Sequence, residues 1–397
     1  MRRLSLCFAL ALGTVPLGAA EPARQLAEKY LHAGELARGE QALAVALDAR
    51  PKDDQLRFGL GVLQFARAIE HLGQSLYQYG AKSENATVPF LRVPVPKNDK
   101  PHTISYEALG RTLDVFVADL GRAERTLAGI TDDKVKLPLR LAAVKFDFAR
   151  DGKPTETLIN VLSRLNGGRF EFQKDNPELL VCFDRGDVAW LRAYCHLLSA
   201  MAEAYRAVDT EWLFEERVKH VFPKVEPSRR KPANDDGELV ITDGARLGRF
   251  RKHMLEVCKL NRETWRYIRS ETDNDHEWLP HAKQKSVIGL SVDDRRVNTW
   301  LELVDMIEEL LTGERLVSPE LLDLAGWKNG GKGVNFQKLL TDPPAKLSDT
   351  KMRDDGIDPK YLEAVGDKKK FGLADAIRVW GVVNDGPFGF AYAAWFN

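Results

Sequence analysis

The longest stretch of regularly spaced apolar residues runs from Asp187 to Pro223. Its first half repeats large apolar side chains every three or four residues over about five turns, which predicts an amphipathic helix. The second half, starting at Asp209, keeps the same period until the proline ends it. We expect a helical hairpin with Asp187 and Asp209 as N-caps, whose aromatic side chains form the centre against which other helices pack. A ligand pocket lined by these aromatics is the alternative.

Helical spacing recurs in residues 55–72, 105–127 and 297–311, whereas the prolines of residues 89–101 predict an extended crossing. Residues 379–396 fit either a hairpin or a helix. The predicted fold class is therefore mainly α. We expect helical hairpins packed as a repeat-like helical domain, with minor short strands after a linker.

The chain divides into four predicted segments. Arg2 and Arg3 precede an apolar run from Leu4 to Leu17, and small residues continue to Ala20, a pattern typical of a signal peptide over residues 1–20. A helical domain is expected over 21–222. Residues 223–237 are rich in proline and charge, which predicts a linker, and 238–397 form a smaller, mostly helical region.

Charge and cysteine content narrow the classes of protein. The 58 basic residues balance the 58 acidic ones, so no nucleic-acid partner is expected. No stretch after the signal peptide is apolar enough to span a bilayer. Cys182, Cys195 and Cys258 allow at most one disulfide, so the hydrophobic core must stabilise the fold, and we expect Cys195 to be a buried thiol.

The first predicted helices carry a repeated pattern of small and large residues. The matching positions are Leu26, Ala27, Tyr30, Gly39, Leu43, Ala46, Leu47 and Pro51. Residues 23–53 therefore resemble a tetratricopeptide repeat, in which two antiparallel helices approach closely at the small residues. A degenerate second copy over residues 57–85 repeats the pattern at Leu60, Gly61, Gly73 and Tyr77. The family commonly binds peptides, but the helix from Gln55 is apolar nearly all round, which favours a pair absorbed into a larger domain.

Two acidic segments are candidate metal sites. Residues 147–158 resemble an EF-hand calcium loop, because Asp147, Asp151 and Gly152 occupy its first, fifth and sixth positions. Ala149 and Leu158 replace two of its ligands, so a capped turn is the alternative. A second set of carboxylates, Asp273 and Asp275, is expected to gather a cation or to form a solvated acidic turn. The sequence predicts no cofactor, with calcium as the alternative.

One basic segment is a candidate anion-binding site. Residues 246–271 combine an apolar helical face with flanking positive charges at Arg249, Lys252, Arg262 and Arg266. An anionic polymer or another envelope protein is the predicted partner, and a solvated helix face is the alternative.

These features predict an exported protein, periplasmic or extracellular, that acts as a binding or structural module of the cell envelope. The alternative is an envelope enzyme, hydrolytic in the simplest case, whose catalytic residues are scattered along the chain.

Export is directly testable. Deleting residues 2–20 should retain the protein in the cytoplasm of its native host, because the basic start and apolar run form the translocation signal. N-terminal sequencing of the exported wild-type protein should find a start near Glu21. A secreted protein that still begins at Met1 would contradict the prediction.

Overall fold

The computed structural model describes residues 22–86, 89–165, 170, 172, 174–227 and 239–383. Helices dominate it, as the periodicity predicts. They are α1 (Ala23–Ala33), α2 (Leu36–Ala49), α3 (Asp54–Gln78), α4 (Tyr106–Ala128), α5 (Leu158–Leu165), α6 (Arg185–Ala207), α7 (Glu211–Val218), α8 (Gly244–Ser270), α9 (Asp294–Thr312), α10 (Pro319–Leu324), α11 (Phe336–Thr341), α12 (Asp349–Asp354) and α13 (Leu373–Val383).

The strands are short and form four small sheets. They are β1 (Leu137–Arg140), β2 (Lys145–Phe146), β3 (Glu156–Thr157), β4 (Leu180–Phe183), β5 (Leu239–Val240), β6 (Arg315–Val317), β7 (Gly333–Val334), β8 (Lys346–Leu347), β9 (Leu362–Glu363) and β10 (Lys369–Phe371). Three sheets are antiparallel pairs, β1–β4, β2–β3 and β5–β8, and the fourth has the order β10-β6-β7-β9. The short strands expected after the linker are present, and two of the antiparallel pairs also occur before residue 222.

The central element is α6, which packs between α4 and α8. Its apolar face is buried as predicted, and Cys195 is 1% exposed with a free thiol. The prediction that Asp187 is the N-cap is wrong. Asp184 caps the helix, and Asp187 is the third helical residue of a capping box, where its carboxylate accepts a hydrogen bond from the backbone of Asp184. Asp209 likewise lies one residue before the N-cap of α7, which is Thr210.

The first repeat-like segment forms a helical hairpin of α1 and α2 against α3. Gly39 sits where a Cβ would overlap Tyr30, which explains the small residue at that position. The expected second copy is not a hairpin of two α-helices, since α3 is one continuous helix as far as Gln78 and only a short 3-10 turn follows, at Ser83–Asn85. Gly61 and Gly73 lie within it and admit the side chains of Leu127 and Phe148, so they serve close packing rather than a turn.

One hydrophobic core connects the two halves of the chain. It extends from Ala23 on α1 to Val297 on α9, and it includes Trp265 of α8. Within the described residues, no helix combines the length and apolar character needed to cross a bilayer.

The predicted linker lies mostly outside the described residues. The first residues of the linker pair with the segment that precedes α4. The backbone N–H of Ile104 donates to the carbonyl of Lys224, and the carbonyl of Ile104 accepts from the backbone N–H of Glu226. The chain resumes at β5 and continues into α8, which packs along α6. At the C-terminus, α13 makes the chain helical as far as Val383, and the rest of the region predicted as hairpin or helix is outside the described part.

Close packing at Gly73 can be tested by one methyl group. Gly73→Ala should lower the free energy of unfolding by about 1–3 kcal/mol, because the new Cβ would overlap the buried, stacked ring of Phe148. Chemical denaturation measures this change. Gly248→Ala on α8 is the matched control: no atom would lie within 4 Å of its Cβ, so it should raise stability by up to about 1 kcal/mol. Equal effects of the two variants would contradict the packing argument.

Candidate functional sites

Four carboxyl side chains meet where α6 begins and α8 ends. Asp184 and Asp187 belong to the first turn of α6, Glu271 is the C-cap of α8, and Glu277 follows in the next loop. Glu277 is 3% exposed and Asp187 is 5% exposed. We call these four residues the acidic cluster. Sequence reasoning missed it, because its two halves are more than 80 residues apart and meet only when α8 packs on α6.

Hydrogen bonds from backbone N–H groups and from one side-chain amide hold the two halves of the acidic cluster in place. Asp184 accepts from the backbone N–H of Gly186 at 2.7 Å, which completes the N-cap of α6. Glu277 accepts from the backbone N–H of Asp275 at 2.7 Å. Glu271 accepts from the amide of Gln284 at 3.0 Å. Each carboxyl therefore has a fixed position and a structural partner.

Crowding of four acids in a buried space changes their protonation. Burial, with the neighbouring Asp184, raises the pKa of Glu271 to about 10, and burial raises the pKa of Glu277 to about 7. Burial next to the same aspartate also raises the pKa of Asp187 well above its usual value. The raised pKa of Glu271 favours its protonated form at neutral pH, in which the carboxyl can donate a hydrogen bond to Asp184.

Two groups of side chains could in principle hold a metal. Asp184, Glu271 and Glu277 each offer an oxygen atom, and these atoms lie within 4.8 Å of one another. At the rim, Cys182, Asp275 and His276 offer a mixed set within the same distance. In the first group, the raised pKa of Glu271 favours a proton over a free carboxylate. In the second group, burial raises the pKa of the Cys182 thiol to about 11, so the thiolate that metals prefer is disfavoured.

The predicted site at Asp273 and Asp275 lies on the rim of the acidic cluster. The ammonium of Lys136 lies 2.5 Å from a carboxylate oxygen of Asp273 and 3.7 Å from one of Asp275. A lysine of this chain therefore provides the positive charge that the two aspartates were expected to gather.

The EF-hand-like segment forms a turn between β2 and β3. Both carboxylate oxygens of Asp147 accept backbone hydrogen bonds, from Asp151 at 3.3 Å and from Gly152 at 2.9 Å. Asp151 in turn accepts from the backbone of Lys153, and Gly152 has φ of +74°. These contacts are those of the capped turn given as the alternative.

A buried carboxyl lies beside this turn. Glu70 accepts a hydrogen bond from the backbone N–H of Asp147, and burial raises the pKa of Glu70 to about 6.

The predicted anion-binding residues lie on α8, and carboxylates hold two of them. Arg249 bonds to Glu203 at 2.8 Å, and Arg262 lies between Asp305 and Glu308. Arg266 rests over the ring of Tyr267, and Lys252 is exposed. The anion-binding hypothesis stays a prediction, with Lys252 and Arg266 as its remaining charges.

A pair of histidines lies between α6 and α8. The Nδ1 atoms of His196 and His253 are 2.8 Å apart, and their ring centroids are 5.1 Å apart. Glu124 of α4 lies 3.6 Å from Nε2 of His196, and Arg192 bonds to the same carboxylate at 2.9 Å. Despite its burial, Glu124 has a pKa lowered to about 2 by these partners. Burial lowers the pKa of His253.

A surface cavity of about 340 Å³ lies between the proline-rich crossing and α5. It is lined by Ser83, Glu84, Pro94, Val95, Glu156, Asn160, Ser163 and Arg164. Neither histidine nor cysteine is among these lining residues, so the lining holds no serine–histidine or cysteine–histidine couple for nucleophilic catalysis.

Comparisons of the chain with protein-family models, curated proteins and solved structures find no match. The geometry of the chain itself therefore carries the functional interpretation.

The protonated state of Glu271 generates a pH-dependent prediction. Its pKa rises from 4.5 to about 10 on folding, so its stabilising contribution is complete below pH 4.5 and is lost as the pH rises through 10. Glu271→Gln keeps a hydrogen-bond donor towards Asp184 and removes the titration. The variant should exceed the wild type in unfolding free energy by about 1–3 kcal/mol at pH 8, allowing for partial solvent screening.

Denaturation curves at several pH values between 5 and 9 measure this effect, and the gap between variant and wild type should widen with pH. Glu256→Gln, in a solvent-exposed ion pair with Lys259 on the same helix, is the control and should change stability by less than about 0.5 kcal/mol at every pH. A gap that stays constant between pH 5 and 9 would show that Glu271 is ionised in the fold and would contradict the prediction.

Proposed function

We propose that the protein is an exported binding or structural module of the cell envelope, and that it attaches to a lipid surface through α13. The observation that carries this proposal is the outer face of that helix. Its exposed positions are Leu373, Ala374, Ile377, Trp380 and Gly381. They form one stripe along the helix, and none of them is polar, which is the reverse of a helix that faces water.

The large side chains of this stripe are strongly exposed. Leu373 is 52% exposed, Ile377 is 61% exposed and Trp380 is 71% exposed. A contiguous apolar stripe at the surface marks an interaction site, and tryptophan is well suited to the boundary between lipid and water.

The charged residues of α13 form ion pairs with other elements of the fold. Arg378 forms an ion pair with Glu302 of α9, and Asp375 lies 3.9 Å from Arg315 of β6. The polar face of the helix is therefore fixed to the fold, and Leu373 and Ile377 are exposed on another face. This division is that of a helix lying in the plane of a membrane surface.

The sequence that follows α13 favours lipid over a protein partner. Residues 384–397 contain five aromatic residues, two of them tryptophan or tyrosine, and a single charged residue, Asp385. Protein interfaces surround their apolar centre with a polar rim, whereas a membrane interface favours amphipathic aromatics without one. The apolar helix face and this aromatic segment are continuous in the chain.

Electrostatic attraction contributes little to this attachment. Lys368, Lys369 and Lys370 precede α13, but they pair with Glu363, Glu309 and Glu320 respectively. Binding should therefore depend on apolar burial. Three large side chains supply on the order of 5 kcal/mol, which suits reversible attachment.

Vesicle co-flotation tests the proposal. The mature chain should float with phosphatidylcholine vesicles, and the bound fraction should change little between low and high salt, because the neighbouring lysines are already paired. Ile377→Asp should weaken binding by roughly tenfold or more, since it removes an apolar group and would bury a charge. Val45→Asp, at a 69% exposed position of α2, is the matched control and should bind like the wild type.

Three results would contradict the proposal. One is absence of flotation, a second is binding that requires anionic lipid and disappears in salt, and a third is equal loss in the two variants. Self-association of the wild type without vesicle binding, abolished by Ile377→Asp, would instead identify α13 as a dimer interface.

A further inference from the structure

We propose that His196 and His253 form a metal site that joins α6 and α8 and prefers a divalent copper or nickel ion. The inference is independent of lipid binding. It rests on two imidazole nitrogens that face each other across a helix interface at 2.8 Å.

The nitrogen separation favours one coordination geometry. With metal–nitrogen distances of about 2.0–2.1 Å, two nitrogens in neighbouring positions of a square-planar site are about 2.9 Å apart, whereas a tetrahedral site requires about 3.3 Å. The observed 2.8 Å is the length of a hydrogen bond in the metal-free protein, and it is closer to the separation in a tetragonal Cu²⁺ or Ni²⁺ site than to that in a tetrahedral one. To bind one ion, the two rings would have to rotate so that both lone pairs point towards it and away from each other.

The surroundings of His196 prepare it as a ligand. The Glu124 carboxylate lies 3.6 Å from its Nε2, which favours a proton on that nitrogen and leaves a lone pair on Nδ1. A carboxylate that orients a histidine through its second nitrogen is a recurrent feature of metal sites. With the proton of His196 on Nε2, the hydrogen bond between the two Nδ1 atoms requires His253 to be the donor in the absence of metal. Metal binding replaces that hydrogen bond, and the proton of His253 moves to its other nitrogen or to solvent.

Charges near the histidine pair are balanced on each of the helices that surround it. Arg192 of α6 pairs with Glu124 of α4, and Arg249 of α8 pairs with Glu203 of α6. No excess positive charge from these residues therefore repels a cation. The side chain of His196 is 16% exposed, so solvent can reach the site and complete the coordination.

Spectroscopy on the wild type tests the geometry directly. The mature chain, purified without a polyhistidine tag, is titrated with Cu²⁺. We expect one saturable site, an electron paramagnetic resonance spectrum with hyperfine coupling to two imidazole nitrogens, and a melting temperature that rises with metal concentration. Ni²⁺ should compete for the same site better than Mg²⁺ or Ca²⁺.

Three variants separate this site from other copper ligands, including the N-terminal amine. His253→Gln should abolish the two-nitrogen signal and the thermal stabilisation, while His102→Ala, at an exposed histidine elsewhere, should leave both unchanged. Glu124→Gln should weaken binding by about tenfold to a hundredfold. Two outcomes would overturn the proposal: a wild-type copper spectrum without imidazole coupling, or a spectrum that is unchanged in His253→Gln. The first outcome depends on the wild type alone, so it can be decided even if a variant folds poorly.

Discussion

The packing of α8 along α6 is the contact on which the rest of the structure depends. Ala193 and Ala200 of α6 are fully buried, and α8 contributes Trp265 and Ile268 to the same core. Through this contact, the part of the chain after residue 238 shares a hydrophobic core with the first helices. Losing it would expose the apolar faces of both helices at once, so the two halves are expected to unfold together.

Polar contacts occur at three levels along this interface, and together they fix its register. Glu203 accepts from Arg246 and Arg249 at one end, His196 meets His253 in the middle, and Asp184 meets Glu271 at the other end. The order shows that the helices run antiparallel. A shift of α8 by one turn would separate all three sets and leave buried polar groups without partners, which costs more than any single contact contributes.

The sequence predicts helices far better than it predicts sites, and the reason is physical. Helix formation follows local spacing, so α6, α9 and the hairpin of α1 and α2 could be predicted from their apolar residues. The end of a helix depends on one hydrogen bond, and Asp184 and Asp187 are both suitable caps by residue type, so only the geometry distinguishes them. Glycine is ambiguous in the same way, because Gly73 fits a turn in the pattern but serves close packing in a continuous helix.

The sites depend on contacts between distant segments. The predicted aspartates at 273 and 275 lie beside the acidic cluster, yet Lys136, more than 130 residues earlier, neutralises them. Similarly, the positive charges predicted on α8 seemed available until α6 and α9 supplied Glu203, Asp305 and Glu308. Charge counted along one segment overestimates the charge available to a ligand, since folding brings opposite charges from elsewhere.

The last described helix, α13, differs from the central helix α6 in which side chains it exposes. Along α6, ionisable side chains are enclosed and satisfy one another, whereas along α13 apolar side chains face outward and the ionisable ones are bound to the protein. The exposed ion pair of Arg378 with Glu302 contributes at most about 1 kcal/mol, which is less than the cost of leaving Leu373 and Ile377 in water. A surface that accepts apolar side chains is therefore what would stabilise this orientation.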